Sequence, residues 1–183
     1  FTIAKDVKIQ VEFNPAVVAE YRLIGYENRA LKREDFKNDK VDAGDLGAGH
    51  TVTALYEVAL VNSKGIRLDP LRYAKLKKTA EGKKDEAGFV RLRYKLPKED
   101  SSKLIEIPLA TRKIATSKIP SENIQFASAV AAYGQILKGG KYTSDYDYEE
   151  VMKLARNARG TDPHGYRAEF ISLVEIAKSI DTR

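Results

Sequence analysis

The chain has 183 residues, of which 43% are hydrophobic and 32% are charged, and its formal net charge is +6. It contains no cysteine, which excludes disulfides, thiol nucleophiles and zinc–cysteine sites. No run of about 18 consecutive apolar residues is present, so the sequence predicts no transmembrane helix. Its length and apolar content are sufficient for one substantial hydrophobic core.

Apolar and polar residues alternate in the first part of the chain, which predicts β-strands. The strands are expected at residues 7–13, 17–27, 50–61, 90–96 and 104–109. The segment 29–49 is charged at first and glycine-rich later, and it is predicted to be a long surface loop. Pro108 favours an edge position for the last strand, because proline cannot donate to a ladder. Hairpin-like connections indicate antiparallel pairing.

After Pro120 the spacing of apolar residues changes to a helical period. Ser121 is a suitable N-cap for the first helix, and two glycines at 139 and 140 end it. Asp147, with Glu150 three residues later, resembles a capping box that opens a second helix.

Asp162 followed by Pro163 predicts the start of a third helix, with proline in its first position. The apolar residues of this helix recur at spacings of three and four, which predicts one buried stripe against the other two helices. The stripe consists of Tyr166, Phe170, Leu173, Val174 and Ala177.

Strands followed by helices predict an α+β fold: an antiparallel β-sheet or small β-sandwich, then a C-terminal three-helix segment. Residues 1–110 are assigned to the β-rich region, 111–120 to a connector and 121–183 to the helical region. The helical region is expected to pack on the β-rich region as one structural unit.

Positive charge is concentrated between Lys64 and Lys95, where eleven basic residues stand against four acidic ones and give a net charge of +7. An anionic polymer or a membrane surface would bind here first. Candidate contact residues are Lys75, Lys77, Lys78, Lys83, Lys84, Arg91 and Arg93. Because Arg91, Arg93 and Lys95 alternate with apolar neighbours, the solvated face of a strand is the simpler interpretation.

Residues that commonly carry catalysis are sparse. The two histidines, His50 and His164, lie far apart in the sequence, and each is expected to be a polar surface residue rather than a ligand or general base. The glycines before His50 lead into a strand and not a helix, which disfavours a phosphate-binding loop. No G-x-S-x-G motif is present. The sequence therefore predicts no enzyme activity, no cofactor and no metal site.

An acidic and aromatic cluster precedes the second predicted helix. The acids Asp145 and Asp147 are expected to complement the positive end of the helix dipole. The tyrosines of the cluster are candidate protein-contact residues, because tyrosine is enriched at interfaces. They are Tyr142, Tyr146 and Tyr148.

Several separate motifs point to one family. They are FNPA at 13–16, YRLIGYENR at 21–29, GAGHTVTALYE at 47–57, DPLRY at 69–73, RYK at 93–95, and the helical segments 123–134 and 155–170. Over almost its whole length the chain resembles the uncharacterised C-terminal domain of bacterial YfbK-like proteins. The resemblance implies a parent with an extracytoplasmic signal or lipid anchor and a von Willebrand factor type A domain just before this one. It implies no catalytic residues, and the D-x-S-x-S metal motif of the type A domain is absent here.

With no catalytic motif present, the resemblance implies a non-catalytic accessory domain in the bacterial cell envelope. Its expected partners are the type A domain of the same parent chain and an unknown envelope protein, whereas nucleic acid is not expected. Binding of an anionic polymer or membrane surface through residues 64–95 is the alternative.

The chain opens at Phe1 without an initiator methionine, which suggests a piece of a longer protein. The strand at 7–13 would then begin close to a domain junction. An open strand edge near the N-terminus, or a homodimer contact formed there, is expected because unpaired N–H and C=O groups favour pairing.

Overall fold

The computed structural model describes residues 1–25, 31–69, 85–115, 120–143 and 146–181. The chain divides into two compact units, Phe1–Ser117 and Lys118–Arg183. The first unit contains strands and the second contains helices, so the predicted α+β fold is confirmed. No helix within these ranges is long and apolar enough to cross a bilayer. The packing of the helical region on the β-rich region stays a prediction.

All strand pairs among the described residues of the first unit are antiparallel. The strands are β1 (Thr2–Phe13), β2 (Val18–Ile24), β3 (Gly44–Gly47), β4 (Leu55–Leu60), β5 (Glu86–Lys95) and β6 (Lys103–Ala110). A four-stranded sheet has the order β3-β1-β5-β6, and β2 and β4 form a separate two-stranded sheet. β6 lies at an edge, which confirms the position predicted from Pro108.

The predicted surface loop at 29–49 contains ordered elements, so that prediction is wrong in part. Residues 44–47 form β3, and Phe36, within a 3₁₀ turn at Arg33–Lys37, is buried with 4% of its surface exposed. A four-residue strand with two glycines has no detectable alternation, and its pairing with β1 is a tertiary effect. β4 begins at Leu55 and not at residue 50, because its partner β2 ends at Ile24 before the left-handed Gly25.

The two edges of β1 are covered to different extents. Its pairing with β5 extends from Lys5 to Phe13, whereas its pairing with β3 extends only from Thr2 to Val7. Among the described strands, none pairs with the other edge of residues 9–13. The open edge therefore lies in the second half of β1.

The helices are α1 (Thr111–Ala115), α2 (Glu122–Leu137), α3 (Tyr148–Asn157) and α4 (Tyr166–Ile180). The predicted caps of α2 and α3 are confirmed. Ser121 Oγ accepts the Ile124 N–H at 3.4 Å, and Asp147 Oδ1 accepts the Glu150 N–H at 2.9 Å.

α4 begins at Tyr166, so the predicted start at Pro163 is wrong. Asp162 lies in a turn with φ of +40°. Its carboxylate oxygens accept the N–H groups of Arg167 at 3.1 Å and Ala168 at 2.9 Å. Asp162 therefore satisfies free donors of the first helical turn, as predicted for a cap, but from outside the helix.

The helical unit has a core of small and branched side chains with an aromatic layer beside it. The buried residues that pack together in this core are Ala129, Val151, Met152, Ala155, Ile171 and Val174. Phe170 packs edge-on against Phe126 and Tyr133, with ring centroids 5.4 and 5.6 Å apart. The predicted stripe on α4 is correct for the fully buried Val174, but wrong for Tyr166 and Leu173, which are 72% and 52% exposed.

Candidate interaction surfaces

The candidate anion-binding residues fall in two groups. Lys75, Lys77, Lys78, Lys83 and Lys84 lie outside the described residues. Arg91 and Arg93 lie on β5, in the middle of the four-stranded sheet.

Both arginines of β5 already have acidic partners. Arg91 Nε donates to Glu106 Oε1 at 3.0 Å. A guanidinium nitrogen of Arg93 donates to Ser102 Oγ at 2.6 Å and lies 3.9 Å from Asp39 Oδ1. These pairs neutralise the arginines locally, so their geometry adds no support to the anionic-surface alternative.

The face of β5 that carries the basic residues is covered over part of its length. Lys8 and Lys95 are 3% and 8% exposed, and the Arg93 side chain is 19% exposed. Lys8 Nζ donates to the Asn38 carbonyl and Lys95 Nζ to the Asp39 carbonyl, so the segment after the 3₁₀ turn lies over this face. The interpretation as a solvated face is therefore wrong for Arg93 and Lys95.

Asp6 is the acidic partner of the buried Lys95 on this face. Its Oδ2 lies 2.7 Å from Lys95 Nζ, and its Oδ1 accepts the Ala43 N–H at 3.3 Å. The hydrogen bond from Lys95 holds the pKa of Asp6 below its ordinary value, and the same bond raises the pKa of Lys95. The pair therefore stabilises the covering segment while both groups are charged.

Asp6→Asn should lower the stability of the protein at neutral pH, because it leaves Lys95 without its carboxylate partner. A carboxyl whose pKa is lowered on folding stabilises the fold above its unfolded pKa, and that contribution disappears as the pH falls through the folded pKa. The stability difference between wild type and variant should therefore shrink as the pH falls from about 5 to about 2. Urea unfolding across this pH range measures it.

Asp100→Asn is the matched control, because Asp100 has a fully exposed side chain 3.6 Å from Lys5. It should leave the pH dependence nearly unchanged. A difference between wild type and Asp6→Asn that stays constant over the acidic range would contradict the assigned role of Asp6.

The three candidate tyrosines do not form one surface element. Tyr148 opens α3 and belongs to the helical core, since its hydroxyl donates to Asp181 Oδ2 at 2.7 Å and its ring lies 6.4 Å from that of Tyr133. Tyr142 and Tyr146 are 39% and 45% exposed. These two remain candidates for protein contact.

The histidines occupy separate units and are both exposed. His50 Nδ1 lies 3.2 Å from the carbonyl of Ala48, and the His164 ring lies 5.8 Å from that of Tyr166. A search of the described ranges finds no group of three or more histidine or acidic residues arranged to hold a metal ion.

The opposite face of the four-stranded sheet is apolar and partly exposed. Ile9 pairs with Leu92, which pairs with Ile105, and the adjacent row is formed by Val11, Val90 and Ile107. Residues in register share a face, so these six side chains form two rows across three strands. Ile9, Ile105 and Ile107 are 49%, 43% and 52% exposed. We call this surface the apolar sheet face.

A second exposed apolar surface lies on α4. Leu173, Ile176 and Ile180 are 52%, 55% and 71% exposed. Their spacings of three and four place them on one side of the helix, away from Val174. α4 thus has two apolar sides, and only one of them contributes to the core.

Sequence reasoning did not identify the apolar sheet face. The alternation in β1, β5 and β6 predicts a buried apolar side and an exposed charged side. The pattern of each strand alone does not show that a separate segment covers the charged side. Asp39, which contacts that side from residues 29–49, was the available signal.

The comparisons with known proteins agree with the motifs in the sequence. A family model described as "Uncharacterized protein YfbK, C-terminal" matches residues 1–180. The chain is 48% identical over 180 residues to "Uncharacterized protein YfbK" of Escherichia coli (strain K12). The match covers 98% of this chain and 30% of that relative, so the chain spans about a third of the relative's length. No solved structure matches.

Proposed function

Because this chain belongs to the family of YfbK C-terminal domains, we propose that it is a non-catalytic accessory domain that binds another protein through its apolar sheet face. The first expected partner is a von Willebrand factor type A domain of the same parent protein, in the bacterial cell envelope. The second expected partner is another protein of the cell envelope.

The arrangement of the two faces of the sheet carries this proposal. An antiparallel sheet commonly packs its apolar face on a core and exposes its polar face. Here the charged face is covered over Lys8 and Lys95, whereas Ile105 and Ile107 on the apolar face are about half exposed. Contiguous exposed apolar surface is typical of protein contact sites.

Apolar burial would contribute to the free energy of such a contact. Full burial of an exposed isoleucine side chain contributes about 1.5–3 kcal/mol, and Ile9, Ile105 and Ile107 are about half exposed, so each can contribute roughly half of that. The two in-register rows provide several such side chains on a rigid sheet, and little conformational entropy is lost when a rigid surface binds.

The double substitution Ile105→Lys and Ile107→Lys should weaken binding to the purified type A fragment of the parent by about a hundredfold or more, equivalent to roughly 3 kcal/mol. It places two charges within the proposed contact, on its edge strand β6. Isothermal titration calorimetry measures the affinity, and circular dichroism checks that the variant is folded.

Leu104→Lys is the matched control. Leu104 is 45% exposed on the same strand, and its side chain points to the opposite face. It should change the affinity by no more than about twofold. Equal losses for both variants, or no binding of the wild type to the type A fragment, would contradict the proposed contact. Turnover of a substrate that one point substitution abolishes would contradict the non-catalytic role.

A further inference from the structure

The open edge of β1 lines a groove of about 330 Å³. The groove is lined by residues 9–13 together with Tyr21, Leu31, Lys32, Arg33 and Phe36. This volume is within the range of about 300–1,000 Å³ that is common for ligand sites.

Two contacts on the β5 side of β1 show which way the main-chain groups of residues 9–13 point. The Asn14 N–H donates to the Ala87 carbonyl at 2.9 Å, and a Cβ added at Gly88 would lie 2.7 Å from the Glu12 carbonyl oxygen. The groups of Glu12 and Asn14 therefore face β5. Because successive residues of an antiparallel strand face alternate neighbours, the N–H and C=O groups of Ile9, Val11 and Phe13 face the groove.

These groups have no partner in the described part of the chain. β3 pairs with β1 only as far as Val7, and no other backbone hydrogen bond within the described ranges reaches residues 9–13 from the groove side. A strand edge of this length is a template for main-chain pairing. Such an edge favours an extended peptide over a compact ligand, since only a peptide repeats donors and acceptors at the strand spacing.

The two sides of the groove differ in chemistry. Phe13 and Tyr21 meet on one side, with ring centroids 4.8 Å apart. On the other side, Lys32 and Arg33 precede Phe36, whose ring lies 5.8 Å from the Arg93 guanidinium. Both cations are exposed, and the one acidic lining residue, Glu12, lies 3.9 Å from Arg91.

We propose that this groove binds an extended segment of a partner protein, which adds as a strand to β1. Its alternate side chains would be apolar toward Phe13 and Tyr21, and at least one carboxylate would face Lys32 and Arg33. The inference rests on the proposed function in taking a protein as the partner. A linear segment can enter between these two sides, whereas a second copy would have to insert a strand still attached to its own sheet.

A selection of random twelve-residue linear peptides displayed on phage, with the whole chain as bait, tests this directly. Enriched peptides should alternate apolar residues and carry an acid. Val11→Pro removes a donor that faces the groove and should weaken a selected peptide by about tenfold or more, because at least one main-chain hydrogen bond and the fit around it are lost.

Leu104→Pro is the matched control, since it removes an outward N–H on the other open edge. Leu104 and Pro108 are an even number of residues apart on β6, and Pro108 has no N–H to pair with β5. The affinity of the Leu104→Pro variant for the selected peptide should stay within about twofold of that of the wild type.

Amide hydrogen exchange measured by NMR provides a second readout that needs no variant. In the free chain, the amides of Ile9, Val11 and Phe13 should exchange faster than those of Gln10 and Glu12. The selected peptide should protect the three fast amides. The proposal would be overturned if no peptide is enriched, or if Val11→Pro and wild type bind the peptide equally well. It would also be overturned if increasing the protein concentration alone protects these amides, because that would show a homodimer. Because no type A fragment is used, failure here is distinguishable from failure of the apolar-sheet-face contact.

Discussion

Val174→Asp should unfold the helical unit, with a loss of more than about 4 kcal/mol in the free energy of unfolding. Val174 is fully buried in the core between the helices, beside Val151 and Ile171. A carboxylate there would lose its hydration, and no cation is among the residues that form this core. Urea unfolding followed by the helical circular dichroism signal measures the loss.

Leu173→Asp is the control, one residue earlier on the same helix. Leu173 is 52% exposed, so the same new charge remains hydrated. The substitution should cost less than about 1 kcal/mol, most of it from helix propensity. A similar loss at both positions would show that the exposed side of α4 is also buried.

Gly88→Ala should destabilise the β-rich unit by about 1–3 kcal/mol. Gly88 is buried on β5, and a Cβ there would lie 2.7 Å from the Glu12 carbonyl oxygen and 3.4 Å from a ring carbon of Phe13. Because Glu12 belongs to β1, the two central strands would have to move apart. Thermal unfolding monitored in the strand region of the circular dichroism spectrum measures the effect.

Gly44→Ala provides the comparison for this prediction. Gly44 lies on β3, and nothing is within 4 Å of its added Cβ. The alanine should be neutral within about 0.5 kcal/mol or slightly stabilising, because it restricts the unfolded chain. Gly88→Ala with the stability of wild type would show that the spacing between β1 and β5 adjusts freely.

Local signals in the sequence predicted local structure well. Ser121 and Asp147 were identified as helix caps, and each accepts the expected backbone N–H. A cap is determined by residues within one helical turn, so the sequence contains the whole interaction. The edge position of β6 was predicted in the same way, because Pro108 lacks a donor whatever surrounds it.

Interactions between distant segments were not predictable in this way. The charged side of β5 was expected to face water, but Asp6 and the carbonyl of Asp39 reach Lys95 from other parts of the chain. On α4, apolar residues line two sides, and the pattern alone does not show which side packs. The open apolar sheet face follows from the same long-range covering and was therefore missed.

Isoleucine methyl NMR tests the apolar sheet face most directly. The chain is labelled with ¹³C at the isoleucine δ1 methyl groups and titrated with the unlabelled type A fragment of the parent. The methyl signals of Ile9, Ile105 and Ile107 should shift or broaden together, whereas that of Ile176, which is 55% exposed on α4, should not. Changes confined to Ile176, or no changes at a concentration where the fragment binds, would contradict the account.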